Sequence, residues 1–156
     1  MFEIDIPGFS PLAIEHLVCG YHGTLAIDGR LTSSAKDQLN RVARHVSIHV
    51  ITADTFGTAE HGLRGVKCEL QILPEENLAA AKRDLVQRLG NRNTAAIGSG
   101  RVDCLMLETA ALGIVVLSDE GCATEAIQAA DIFCPSISGA LSYFEQPRRL
   151  MAVLRR

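Results

Sequence analysis

Along nearly its whole length the chain alternates short apolar runs with longer stretches that carry an apolar stripe at helical spacing. "FEIDIPG" (2–8) and "AIEHLVCGY" (13–21) predict two strands joined by a Pro-Gly turn. "TSSAKDQLNRVARHV" (32–46) predicts a helix, capped by Ser33 or Ser34, with Ala35, Leu39, Val42 and Ala43 on one face. The strand "SIHVITAD" (47–54), the short helix "TAEHGLRGV" (58–66) entered through Gly57 and Thr58, and the strand "CELQILP" (68–74) follow. "EENLAAAKRDLVQRLG" (75–90) is the clearest helix, with acids in its first turn, bases in its last and Gly90 as its stop.

The second half continues in the same way. It reads as strand and loop "TAAIGSG" (94–100), helix "VDCLMLETAALG" (102–113), strand "IVVLSDEG" (114–121), helix "ATEAIQAA" (123–130) and strand "DIFCPS" (131–136). A last helix, "SGALSYFEQPRRLMAVL" (138–154), is interrupted near Pro147. Strands alternating with helices are joined by crossovers, which put helices on both faces of a mainly parallel sheet. The expected architecture is therefore one α/β domain over residues 1–156, three-layered and Rossmann-like, with an N-terminal β-hairpin.

Composition narrows the function classes. With 47% apolar and 21% charged residues, the chain can bury a sizeable core, which must be aliphatic because it has no Trp, two Tyr and five Phe. A formal net charge of −3 supplies no basic field for nucleic acid. No segment reaches the ~20 apolar residues of a membrane helix, and no signal-peptide pattern opens the chain. The five cysteines, at 19, 68, 104, 122 and 134, show no CxxC spacing and lie mostly in apolar runs. Buried, reduced thiols and a cytoplasmic location are expected.

Ligands of open parallel sheets bind beyond the carboxyl ends of the strands. Three such ends carry unusual sequence: "GYHGT" (20–24), "TADT" (52–55) and "GSGRVD" (98–103), with Lys82 on a helix between the second and third. His45 and His49 have the i, i+4 spacing of a metal pair, but a helix-to-strand break is expected between them. The "GSGRVD" loop lacks the third glycine of a dinucleotide fingerprint.

Taken together, "GYHGTLA" (20–26), "ITAD" (51–54), Lys82 and "GSGRVD" resemble, in order and spacing, the four motifs of the haloacid dehalogenase-like hydrolases. "ITADTFGTA" and "MLETAALGI" make the chain similar to the soluble, P-type-ATPase-like branch of that superfamily. The resemblance implies a phosphoryl-transfer fold, here without a cap domain and with a site open to solvent. In the family's first motif an aspartate attacks phosphorus and ligates Mg²⁺; here that position is Gly20, while Gly23 and Thr24 match. His22 stands where phosphatases place an acid–base aspartate, and nothing flanking it in sequence supplies an orienting carboxylate. In the fourth motif Ser99 and Val102 replace expected polar residues, leaving Asp103 as the one residual metal ligand. Thr52 and Lys82 fit the phosphate-holding second and third motifs, joined by the backbone N–H groups around Gly23 and Thr24.

The resemblance implies a pseudoenzyme: a phosphate- or nucleotide-binding, regulatory or assembly protein with no cofactor. Its partners would be a phosphorylated small molecule or nucleotide, and a second copy or another protein. The alternative is a Mg²⁺-dependent phosphatase that uses water or His22, with Asp103 on the metal.

Overall fold

The computed structural model describes residues 1–54 and 57–156; Thr55 and Phe56, the end of the "TADT" loop and its successor, lie outside the described residues. Strands β1 (Phe2–Ile4) and β2 (Leu12–Ile14) pair antiparallel as the N-terminal hairpin. The run predicted as a single second strand breaks at Glu15, and its remainder, β3 (His16–Gly20), enters a different sheet. That sheet has six parallel strands in the order β5-β4-β3-β6-β7-β8, where β4 is Ser47–Thr52, β5 Glu69–Ile72, β6 Thr94–Gly98, β7 Leu112–Val116 and β8 Ile132–Cys134.

Helices cover both faces. On one lie α1 (Ser33–Val42), α2 (Thr58–Gly62) and α6 (Ile137–Glu145), packing Leu39, Ala59 and Phe144 against Leu17, Cys19 and Val50. On the other lie α3 (Leu78–Leu89), α4 (Cys104–Thr109) and α5 (Thr124–Ala129), packing Leu85, Met106 and Ala126 against Val18, Ile51 and Val115. Parallel strands covered on both sides must be apolar along their whole length, and β6 and β7 are buried at every residue. Pro147 separates α6 from α7 (Arg148–Leu154), because it cannot supply the N–H that a continuous helix needs.

Local chemistry moves several boundaries. Thr32, not Ser33 or Ser34, caps α1; its hydroxyl accepts from the Ala35 N–H. Glu75 and Glu76 fall before α3, whose N-cap is Asn77 with φ 60°, so they are not first-turn acids. The helix predicted to run to Gly113 ends at Thr109, since Leu112 and Gly113 belong to β7. Of the cysteines, Cys19 and Cys134 are buried while Cys68, Cys104 and Cys122 are half-buried, and all five are free thiols.

Candidate functional site

After β3 the chain moves outward to β4 and β5, and with β6 it returns to the other side of β3 before continuing to β7 and β8. The adjacent carboxyl ends of β3 and β6 therefore diverge in connectivity, and such a switch point leaves a crevice in a parallel sheet. Gly20 ends β3 and Gly98 ends β6. The three loops singled out by sequence and Lys82 of α3 meet there. A cavity of about 250 Å³ is lined by His22, Thr52, Asp54, Lys82 and Asp103, with Glu75, Leu78 and Val102 also at its wall.

The centre of the crevice is an ion pair. Lys82 Nζ donates to Asp103 Oδ1 at 2.7 Å, and both side chains are about 95% buried. The other oxygen, Oδ2, accepts the Ser99 and Gly100 N–H groups at 2.9 Å each. Asp103 can come this close because β6 ends in glycine: a Cβ on Gly98 would lie 2.5 Å from the Asp103 Cβ. Gly20 faces the same group. A Cβ built there would lie 3.3 Å from Thr24 Oγ1, 3.5 Å from Asp103 Oδ1 and 3.6 Å from Lys82 Nζ. A residue without a side chain thus sits inside a ring of hydroxyl, carboxylate and ammonium.

The remaining polar groups are spoken for in part. Thr24 Oγ1 and Ser99 Oγ share a buried hydrogen bond at 2.9 Å. The Gly23 N–H donates to the Ala26 carbonyl and the Thr24 N–H to the Tyr21 carbonyl, so the turn consumes both donors. What Thr24 can present to a ligand is its hydroxyl. Thr52 Oγ1 accepts the Asp54 N–H at 3.2 Å and keeps its own proton to donate.

One expectation is overturned. His22 does have an orienting carboxylate, brought from β4 rather than from its own loop: its Nε2 donates to Asp54 Oδ1 at 3.3 Å. Asp54 is 6% exposed, and its Oδ1 also accepts from the Ala59 N–H at 2.9 Å and the Thr58 hydroxyl at 3.2 Å. Burial pushes this carboxyl up, but the hydrogen bonds from Ala59, His22 and Thr58 outweigh it, and its pKa lies below the ordinary aspartate value. Asp54 adopts φ +43°, a conformation that aspartate tolerates better than most residues. Nothing in the spacing marks it as a partner of His22; the usable signal is a short acidic residue just beyond a strand end.

Asp103 fits a metal poorly. Both its oxygens are committed, Gly20 adds no ligand, and among the described residues no three His, Cys, Asp or Glu side chains converge in a way that could hold an ion. His45 and His49 do not converge either, since α1 ends at Val42 and His49 lies within β4.

The 3-deoxy-D-manno-octulosonate 8-phosphate phosphatase of Moraxella catarrhalis, crystallised with magnesium, phosphate and KDO, is similar at a TM-score of 0.71 and 14% identity, covering 89% of this chain and 90% of that one. The fold is haloacid dehalogenase-like. The cobalt-bound phosphatase (YrbI) of Haemophilus influenzae has the same HAD-like fold, with TM-score 0.70, 13% identity and 92% and 94% of the two chains covered. So does the Yersinia pestis octulosonate 8-phosphate phosphatase, with TM-score 0.66, 14% identity and 97% and 95% covered. No family model matches the chain. MJ0073, an uncharacterized protein of Methanocaldococcus jannaschii, is 34% identical over 92 residues, 58% of this chain and 99% of MJ0073; the two belong to one family. No helix among the described residues is long and apolar enough to cross a membrane.

Proposed function

We propose that this protein binds a phosphorylated small molecule or nucleotide in the β3–β6 crevice and does not capture the phosphoryl group covalently. It is then a pseudoenzyme of the haloacid dehalogenase superfamily, in the soluble P-type-ATPase-like branch, with a regulatory or assembly role. The observation that carries this reading is Gly20: the groups that would surround a nucleophile are assembled around a residue with no side chain. Thr52 and Lys82 at the cavity wall, with the Thr24 hydroxyl beside Gly20, would take the phosphate, while the turn leaves Gly23 no free N–H to offer, and the ligand's oxygens compete with Asp103 for the Lys82 ammonium. Two carboxylates, Asp54 and Asp103, face the cavity against one lysine. A ligand that carries a positive group is therefore favoured over inorganic phosphate. Five free thiols agree with a cytoplasmic setting.

A specific observation favours a second reading, hydrolysis without a covalent intermediate. With Nε2 held by Asp54, His22 is oriented as a general base for a water attacking the phosphoryl group, and the similar solved structures are of phosphatases. Metal assistance through Asp103 is not part of it, for the reasons of ligation above. One pair of measurements separates the readings: binding of an aryl phosphate followed by NMR, and release of the phenol. Binding without release, lost in Lys82→Met, supports the first. Release that disappears in His22→Ala supports the second, and absence of both binding and release refutes the two together.

A further inference from the structure

Toward the opposite, amino-terminal end of the sheet three side chains form a line that the crevice does not use. His16 Nδ1 lies 3.2 Å from His49 Nε2, and His49 Nδ1 lies 3.2 Å from Glu69 Oε2. The register of the sheet produces the line, because His49 pairs with Val18 on β3, two residues beyond His16, and with Glu69 on β5. His49 is 4% exposed, His16 half-buried and the Glu69 side chain largely in solvent.

We propose that His16 Nδ1 and His49 Nε2 are the two protein ligands of a borderline transition-metal dication such as Zn²⁺ or Co²⁺, with Glu69 orienting His49 from behind. At a metal–nitrogen distance of about 2.0–2.1 Å, two ligands of a tetrahedral ion stand about 3.3 Å apart. The observed separation of 3.2 Å matches this. Glu69 approaches His49 Nδ1 off the N–H axis, but at 3.2 Å it still favours the proton on that nitrogen, which leaves the Nε2 lone pair facing His16. A carboxylate on the far nitrogen of a ligating histidine fixes its tautomer and raises its basicity. Without metal, His16 donates its Nδ1 proton to His49; with metal, the half-buried His16 carries that proton on Nε2 instead, and no net proton is released. A hollow of about 430 Å³ opens beside His16, lined also by Glu15, His45, Arg44 and Met1; it reaches His16 but not the buried His49, so the ion would approach from the His16 side and draw its waters there. Imidazole nitrogens select such ions over Mg²⁺ or Ca²⁺.

The test is calorimetric titration of the untagged full chain with Zn²⁺, paired with ring-nitrogen NMR. One-to-one binding that shifts His16 Nδ1 and His49 Nε2 is expected, with loss of binding in His16→Asn and in His49→Asn. Glu69→Gln should weaken it about tenfold, and His61→Asn on α2 should leave it unchanged. Because His49 is buried, His16→Asn supplies the same readout if the His49 variant does not fold. Absence of saturable binding, or binding that survives His16→Asn, overturns the site; full affinity in Glu69→Gln overturns the orienting role.

Discussion

Replacing Lys82 with methionine removes the positive half of a pair whose members are each about 95% buried, while keeping most of the side chain's volume. Breaking a buried ion pair costs about 3–5 kcal/mol, because the remaining charge is left without compensation. Here Asp103 Oδ2 still holds two backbone N–H groups, which places the cost near the lower bound, about 3 kcal/mol. For a chain of this length that lowers Tm by roughly 6–12 °C. Asp103→Asn leaves the ammonium unpaired instead, at a similar cost of about 3 kcal/mol. In the double variant neither charge remains, so its loss should fall short of the sum by about 2–3 kcal/mol. Urea denaturation of the four proteins, with m unchanged, measures the cycle. Phosphate provides a functional counterpart: freed from Asp103, Lys82 should let inorganic phosphate stabilise Asp103→Asn more than the parent. A Lys82→Met cost below about 1 kcal/mol, or additive single effects, would refute the pair as the organising contact of the crevice.

Gly98→Ala should force Asp103 away from Ser99 and Gly100, since the added Cβ meets the Asp103 Cβ at 2.5 Å; a loss of about 2–3 kcal/mol in urea denaturation is expected, and none would mean that the loop relaxes freely. Gly20→Asp combined with Ser99→Asp places two carboxylates beside Asp103, and Mg²⁺ should then raise the Tm of the double variant but not of the parent; equal Mg²⁺ responses would show that the loops are not aligned as a metal site. Burial, with a smaller effect from His16, holds His49 below the ordinary histidine value, Glu69 opposing only in part. The unfolded chain therefore takes up this proton first, and the stability is present above pH ~6.5 and lost as pH falls through the lower folded pKa. Urea midpoints between pH 7 and 5 should fall in the parent and flatten in His49→Gln; an unchanged slope would exclude His49. The depressed Glu145 pKa, held by Arg41, acts in the same direction but below the ordinary glutamate value, outside that range.

Much of this was legible in the chain because burial on both faces imposes a simple pattern. β4 and β6 read directly as apolar runs, β3 and β7 only within strands drawn with other bounds, and the described parts of the loops at 20–24, 52–55 and 98–103 meet where the connectivity reverses. The illegible features depend on contacts across the sequence. The break at Glu15 follows from its backbone, whose N–H donates to the Asn93 carbonyl and whose carbonyl accepts the Ser47 N–H, a partnership no local pattern announces. Leu112 and Gly113 continue a helical stripe in sequence, yet in β7 they pair with Ala95 and Ala96 of β6. The cap of α1 falls on Thr32 rather than on Ser33 or Ser34: three consecutive hydroxyl residues offer equivalent chemistry, and only the backbone angles of Thr32 select it.

The same division runs through the site. A motif reading places each residue on its strand end but cannot say what a polar side chain does once a neighbour changes. With an aspartate at position 20, Lys82 and Asp103 would share a crowded acidic centre; with Gly20, the two close on each other at 2.7 Å. His22 finds in Asp54, from the next strand, the carboxylate its own loop lacks. Beside Gly20, Lys82 is half of a neutral pair, so on the proposed function a phosphoryl ligand would share the ammonium's three donors with Asp103. On that reading Asp103, together with Gly20, sets the affinity of the crevice.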